Sequence, residues 1–185
     1  MQVEFKRTGQ RNYSVKVMRN KFPDLEMSTA PGFDSLMPHD MCHLIVEQEL
    51  QIKQGIFGQL AVGGTGGSFG VPPNESVNGK NDSRHRRRTK QKGEKLAKEN
   101  LDDLAKSERA TYVCWHDWIS HSPDKKIKKK TEEMYGNAIS IFSQMSDSER
   151  AIYTEENFAK VRRRMDELSN QWKKLKIQET MIVNW

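Results

Sequence analysis

His39-Asp40-x-x-His43-x-x-x-Glu47 is the stretch of this chain whose residue types and spacing best suit chemistry. On an α-helix, positions i, i+4 and i+8 advance by only about 40° each, so His39, His43 and Glu47 project along one side. Two imidazoles one turn apart can share a divalent ion, as on the His-Glu-x-x-His helix of zinc proteases, where the intervening Glu is the general base. Here Asp40 stands in that place with its carboxylate one methylene nearer the backbone. It is short for a base and suits a ligand or an orienting group. A second His-Asp pair lies in Cys114-Trp115-His116-Asp117-Trp118. His116 can supply a ligand from another helix, because a catalytic zinc takes three protein ligands and leaves a fourth position for water. The expected centre is therefore a divalent metal, zinc, on His39, His43 and either His116 or Glu47, with Asp40 and Glu47 as the candidate proton-handling carboxylates.

A second explanation fits the same residues. On a helical wheel Met41, Cys42, Ile45, Val46 and Ile52 fall on one side and His39, Asp40, His43, Glu47 and Gln51 on the other. An amphipathic helix with a solvated polar face has this pattern too, and so does a buried structural cluster of polar side chains. Around His116, Trp115, Trp118 and Ile119 equally fit core positions with exposed polar residues between them. The two cysteines, Cys42 and Cys114, form no Cys-x-x-Cys knuckle and no disulfide framework, and they read as reduced, buried thiols.

The elements that must hold these residues can be read from periodicity. Val3 and Phe5, then Tyr13, Val15 and Val17, alternate about a Thr8-Gly9 turn and predict a β-hairpin. Pro23 and Pro31-Gly32 break the chain, and Pro38 opens the His-Asp helix, which runs to Leu50. A short helix is expected from Ile56 to Val62. Beyond Gly93 the pattern is helical. One helix carries Leu101, Leu104, Tyr112, Trp115 and Ile119 and ends before Pro123, and another carries Ile127, Met134, Ala138, Ile141, Phe142 and Met145. Ser146 and Glu149 form a capping-box signature. Phe158, Val161, Met165, Leu168, Trp172 and Leu175 trace a narrow seam. Thr180 to Trp185 reads as a strand that joins the hairpin. The expected fold is α+β: a small antiparallel sheet packed on several helices, in one composite domain of residues 1–62 and 94–185 with a long flexible insertion at 63–93.

That insertion has its own composition. Nine of the twelve glycines lie between Gly55 and Gly93, and the stretch ends in Arg84-His85-Arg86-Arg87-Arg88-Thr89-Lys90-Gln91-Lys92. The chain has 31 Lys plus Arg against 25 Asp plus Glu, a surplus of +6. Residues 80–98 hold 9 basic and 2 acidic side chains, so the surplus sits in this segment and the flanks are close to neutral. Gly63-Gly64-Thr65-Gly66-Gly67 lacks the Gly-Lys-Ser/Thr ending of a phosphate-binding loop. Arg84, Arg86, Arg87, Arg88, Lys90 and Lys92 can engage phosphates, or an acidic protein surface, by charge, but the absence of interleaved aromatics offers no base stacking. No stretch is apolar enough for a membrane span or a signal peptide, so the expected compartment is the cytoplasm.

Met37-Pro38-His39-Asp40-x-x-His43-x-x-Val46-Glu47-x-x-Leu50, continued by Gly55-Ile56-Phe57-Gly58-Gln59-Leu60-Ala61-x-Gly63-Gly64, resembles a family of uncharacterised bacterial proteins. The likeness covers residues 1–64 and, loosely, the last thirty. It implies a strand pair, a Pro-His-Asp helix, a Gly-rich stretch and a C-terminal helix and strand, with no activity attached. The His-Asp-x-x-His spacing is also similar to the ubiquinone-biosynthesis scaffold family, whose motif is associated with zinc. A further Glu is expected there about twelve positions after the second His, where this chain has Gly55. Two functions follow: a divalent-metal protein, with hydrolysis as the matching chemistry, or a non-enzymatic module that binds nucleic acid or an acidic partner through its basic segment.

Overall fold

A computed structural model describes residues 1–30, 34–72 and 82–185. Strands β1 (Gln2–Arg7), β2 (Tyr13–Met18) and β3 (Leu25–Ala30) are followed by helices α1 (His39–Glu49), α2 (Ile56–Ala61), α3 (Asp82–Glu99), α4 (Leu101–Ser120), α5 (Lys125–Gln144), α6 (Asp147–Arg150) and α7 (Glu155–Lys174), and β4 (Thr180–Asn184) closes the chain. The strands form one antiparallel sheet in the order β3-β2-β1-β4, so the fold is α+β, as the alternation predicts.

The pairing register explains the alternation. Val3 faces Val17 and Val183, and Phe5 faces Val15 and Met181, so the apolar residues form continuous rows across three strands. All six are buried on the helix side of the sheet. β3 was not foreseen. Only Leu25 and Ala30 of its six residues are buried, and a register shift between Tyr13 and Val15 removes the period-two signal. Its outer edge is covered by the chain near Gly70, which exchanges backbone hydrogen bonds with Glu26 of 2.7 and 3.0 Å.

α1 lies at the centre. Its residues from Met41 through Glu47 are all buried, and it contacts α2, α4 and α7. From Met41 to Glu47 the helix has no solvated face, so the amphipathic explanation fails for His43 and Glu47, while His39 in its first turn is exposed. α7 packs through Val161, Met165, Leu168 and Trp172, the expected seam. Thr154 caps it by accepting from the Asn157 N–H at 3.2 Å, and Ser146 caps α6 in the same way through Glu149. The expected face of α4 holds at Ile119, which is buried, and at Trp115, which packs against the core, but is displaced toward the helix start. Leu101 is exposed, whereas Ser107, Ala110, Thr111, Cys114 and Trp118 are buried, because small and polar residues let α4 approach α1.

Within the expected insertion, glycine serves backbone geometry and close contact. Gly63, Gly66 and Gly67 have φ of +93°, +54° and +83°, and a Cβ on Gly93 would lie 2.1 Å from Thr65 Oγ1. The basic run lies on α3 instead of an irregular linker, and Arg19 Nη1 ties β2 to the carbonyls of Leu60 and Gly64 at 2.9 and 2.8 Å. The break expected at Pro31-Gly32 and positions 73–81 of the insertion lie outside the described residues. No described helix is long and apolar enough to cross a membrane, and both cysteines are free and buried.

Candidate metal centre

The first two turns of α1 and the middle of α4 bring three donors together. His39 Nε2 lies 3.1 Å from His43 Nε2, and the nearest Glu108 oxygen is 3.6 Å from the same nitrogen. All three donor atoms fall within 4.8 Å of one another, close enough to hold one metal ion. His43 is buried, while His39 and Glu108 reach it from the exposed side. A cavity of about 360 Å³ opens beside them, with His39 and Glu108 in its wall.

Behind His43 runs a buried chain of hydrogen bonds. Glu47 Oε1 accepts from the Ile56 N–H at 2.7 Å, and Oε2 accepts from Phe57 and Gly58 at 2.9 and 3.1 Å. Glu47 is thus the N-terminal anchor of α2, satisfying three backbone donors that the helix leaves without partners. Gly55 makes room for it, since a Cβ there would lie 2.4 Å from the carboxylate. The Ser107 hydroxyl also donates to Glu47 Oε1, at 2.6 Å, and its oxygen lies 2.8 Å from His43 Nδ1. Ser107 has one proton and spends it on Glu47, so toward His43 it can only accept. With Glu47 ionised, Nδ1 therefore carries the ring hydrogen, with Thr111 Oγ1 3.1 Å away as a second neighbour, and Nε2 presents its lone pair toward His39 and Glu108.

Electrostatics reinforce this assignment. Burial, aided by the neighbouring His39, lowers the His43 pKa to about 3, so the ring is neutral near pH 7. Burial lifts the Glu47 pKa to about 7, against the pull of its four donors toward the anion. Asp40 is half-buried and accepts a hydrogen bond from the Tyr13 hydroxyl of β2. Burial raises its pKa, while Tyr13 and His39 oppose the rise. Burial also raises both cysteine thiols, so neither is a thiolate ligand.

Of the residues singled out by spacing, His39 and His43 meet as expected. Glu47 is turned to α2 and Asp40 to β2, so neither carboxylate is free to take a proton from a water at the histidine pair. His116 does not join them. It lies eight residues beyond Glu108 on α4, about 12 Å along the axis, against Tyr135 of α5. Its Nε2 is buried without a hydrogen-bond partner among the described residues. Glu108, Ser107 and Thr111 were missed. Their signal is the polar interruption between Leu104 and Tyr112 on a helix otherwise rich in apolar residues.

Of the basic residues, Arg84, Arg87, Arg88 and Lys90 are exposed on α3. Arg86 Nη2 instead donates to the Pro72 carbonyl at 2.9 Å. Lys92 donates to Val62 at 2.7 Å and sits 4.2 Å over the Phe22 ring. These two side chains fasten the helix to the body.

The buried groups give the metal-free protein a defined proton linkage. Unfolding returns His43 from about 3 to 6.5, so the unfolded chain binds the extra proton and the stability contributed by His43 is lost as pH falls from 6.5 toward 3. Glu47 has the opposite sign: its folded value of about 7 exceeds 4.5, so its contribution is lost as pH rises from 4.5 toward 7. Relative to wild type, His43→Gln is expected to gain about 1.4 kcal/mol per pH unit as the pH is lowered from 6.5 to 4.5. Urea unfolding in the presence of a chelator checks this, and parallel profiles for the two proteins would contradict it.

No protein-family model, curated protein or solved structure matches the chain, so its own residues carry the functional argument.

Proposed function

We propose that the protein binds one divalent transition metal ion, zinc, through His39 Nε2, His43 Nε2 and a Glu108 oxygen. The observation that carries this reading is the buried His43, whose Nδ1 is engaged by Ser107 and whose Nε2 faces two other donors. Zinc–nitrogen bonds of about 2.05 Å in a tetrahedron place ligand atoms about 3.3 Å apart, near the 3.1 and 3.6 Å separations here. Two imidazoles and one carboxylate leave a fourth position open, which is the donor set of catalytic rather than structural zinc. A metal held this way polarises a bound water or carbonyl, so metal-assisted hydrolysis is the chemistry that fits. Because His43 is already neutral, binding displaces no proton from it near pH 7. The likeness to the ubiquinone-biosynthesis scaffold family is confined to the His-Asp-x-x-His spacing, since in this reading the carboxylate comes from α4.

Metal analysis of the purified protein, followed by competitive zinc titration, tests this. About one zinc per chain is expected. His43→Gln should abolish tight binding, and Ser107→Ala should weaken it about tenfold or more by freeing the ring. Protein without zinc affinity, or His43→Gln binding as well as wild type, would overturn the reading.

A second reading is favoured by one surface. Arg84, Arg87, Arg88 and Lys98 recur at helical spacing and are all exposed, on the side of α3 away from buried Thr89 and Gly93, where Lys95 pairs with Glu99 at 3.7 Å. We propose that this basic face contacts nucleic-acid phosphates without reading sequence. Replacing Arg84, Arg87 and Arg88 by Ala should reduce the slope of log affinity for duplex DNA against log salt by about 3. An unchanged slope would exclude α3 as the contact.

A further inference from the structure

The metal reading leaves open what the site acts on, and the cavity beside it narrows the chemistry. Its volume of about 360 Å³ lies at the small end of ligand pockets, enough for a ring-sized molecule. Met37, Tyr112, Trp115 and Met134 supply apolar and aromatic walls, and His39 and Glu108 occupy one side. Trp115 is set edge-on against Trp118 with centroids 5.1 Å apart, so its ring has a defined orientation. The Met134 thioether is an adaptable wall for a flat ligand.

Charge settles the second property. Among the described residues no Lys or Arg lines the cavity, and its acidic wall residues are Glu108, beside the histidines, and Asp34. Asp34 is already engaged by Lys130 Nζ at 2.7 Å and by the Leu36 N–H at 3.0 Å. Away from the metal, an anionic substituent meets Asp34, whose counter-ion Lys130 is already engaged. A cationic one finds Asp34 already paired. Cys42, also in the wall, keeps a neutral thiol. The cavity therefore offers apolar contact along its length and polar contact at the metal-binding side.

We infer that the site takes a small aromatic molecule, uncharged apart from the group that binds the metal, that reaches the metal through oxygen, as a carbonyl or a hydroxamate does, and lays its ring against Trp115 and Met134. This inference rests on the metal reading, and the two can fail separately. The probes are acetohydroxamate, benzohydroxamate and 4-carboxybenzohydroxamate, titrated into the cobalt(II)-loaded full chain. Binding is followed by the visible cobalt spectrum and corrected for each probe's affinity for free cobalt(II). Benzohydroxamate should bind about tenfold or more tightly than acetohydroxamate, as burial of a ring implies, and the 4-carboxylate should lose that gain. Trp115→Ala and, separately, Met134→Ala should each shrink the preference while leaving the cobalt spectrum of the probe-free protein unchanged. If cobalt gives no protein-bound spectrum, the metal reading fails and this inference falls with it. If cobalt binds but the three hydroxamates bind alike, or the preference survives in both variants, the metal reading stands and the inference is overturned.

Discussion

A carboxylate buried at the junction of three helices, Glu47, organises the protein around it. Burying a carboxyl group without partners costs several kcal/mol, and a charged one much more, so the surrounding chain has to supply donors. It does so from two directions: the Ile56, Phe57 and Gly58 amides that open α2, and the Ser107 hydroxyl from α4. Each donor fixes something else. The amides hold the short helix α2 against α1, an arrangement that requires a glycine at position 55. Ser107 fixes the register of α4, which places Glu108 and Thr111 beside His43.

The consequence for chemistry runs through one proton. With the Ser107 hydrogen committed to Glu47, His43 must donate from Nδ1 and offer Nε2 as a lone pair. The same burial that makes Glu47 demand its donors keeps the His43 ring neutral. Helix packing and ligand preparation are therefore one arrangement. Loosening Glu47 would free the ring orientation of a residue it does not touch directly. Outer groups that orient a histidine ligand commonly act on affinity in this way.

Several parts of this were readable in the chain because a period betrays them. The steps of three and four from Phe158 to Leu175 can only be one packed seam, and the parity of Val3, Phe5, Val15 and Val17 can only be a half-buried sheet. His39 and His43 were readable because four-residue spacing on a helix puts two side chains together. The remainder depends on tertiary placement. Glu47 and Asp40 share a helix with the histidines, but what they face is set by α2 and β2. His116 repeats the His-Asp pair, yet two further helical turns carry it to α5. Glu108 and Ser107 sit where α4 is polar because a polar site is buried against it, so a search for apolar periodicity passes over them. Glycines at 63, 66 and 67 look like chain freedom in composition, while their φ values and the contacts at Gly93 show geometry.

The tautomer of His43 is the most direct measure of this account. Long-range proton–nitrogen correlation spectra of the metal-free protein, with ¹⁵N in its histidines, report the protonation of each ring nitrogen. The Glu47–Ser107–His43 chain predicts, above about pH 8 where Glu47 is ionised and accepts from Ser107, a neutral ring with hydrogen on Nδ1 and a bare Nε2. A hydrogen on Nε2, or a cationic ring near neutral pH, would contradict it.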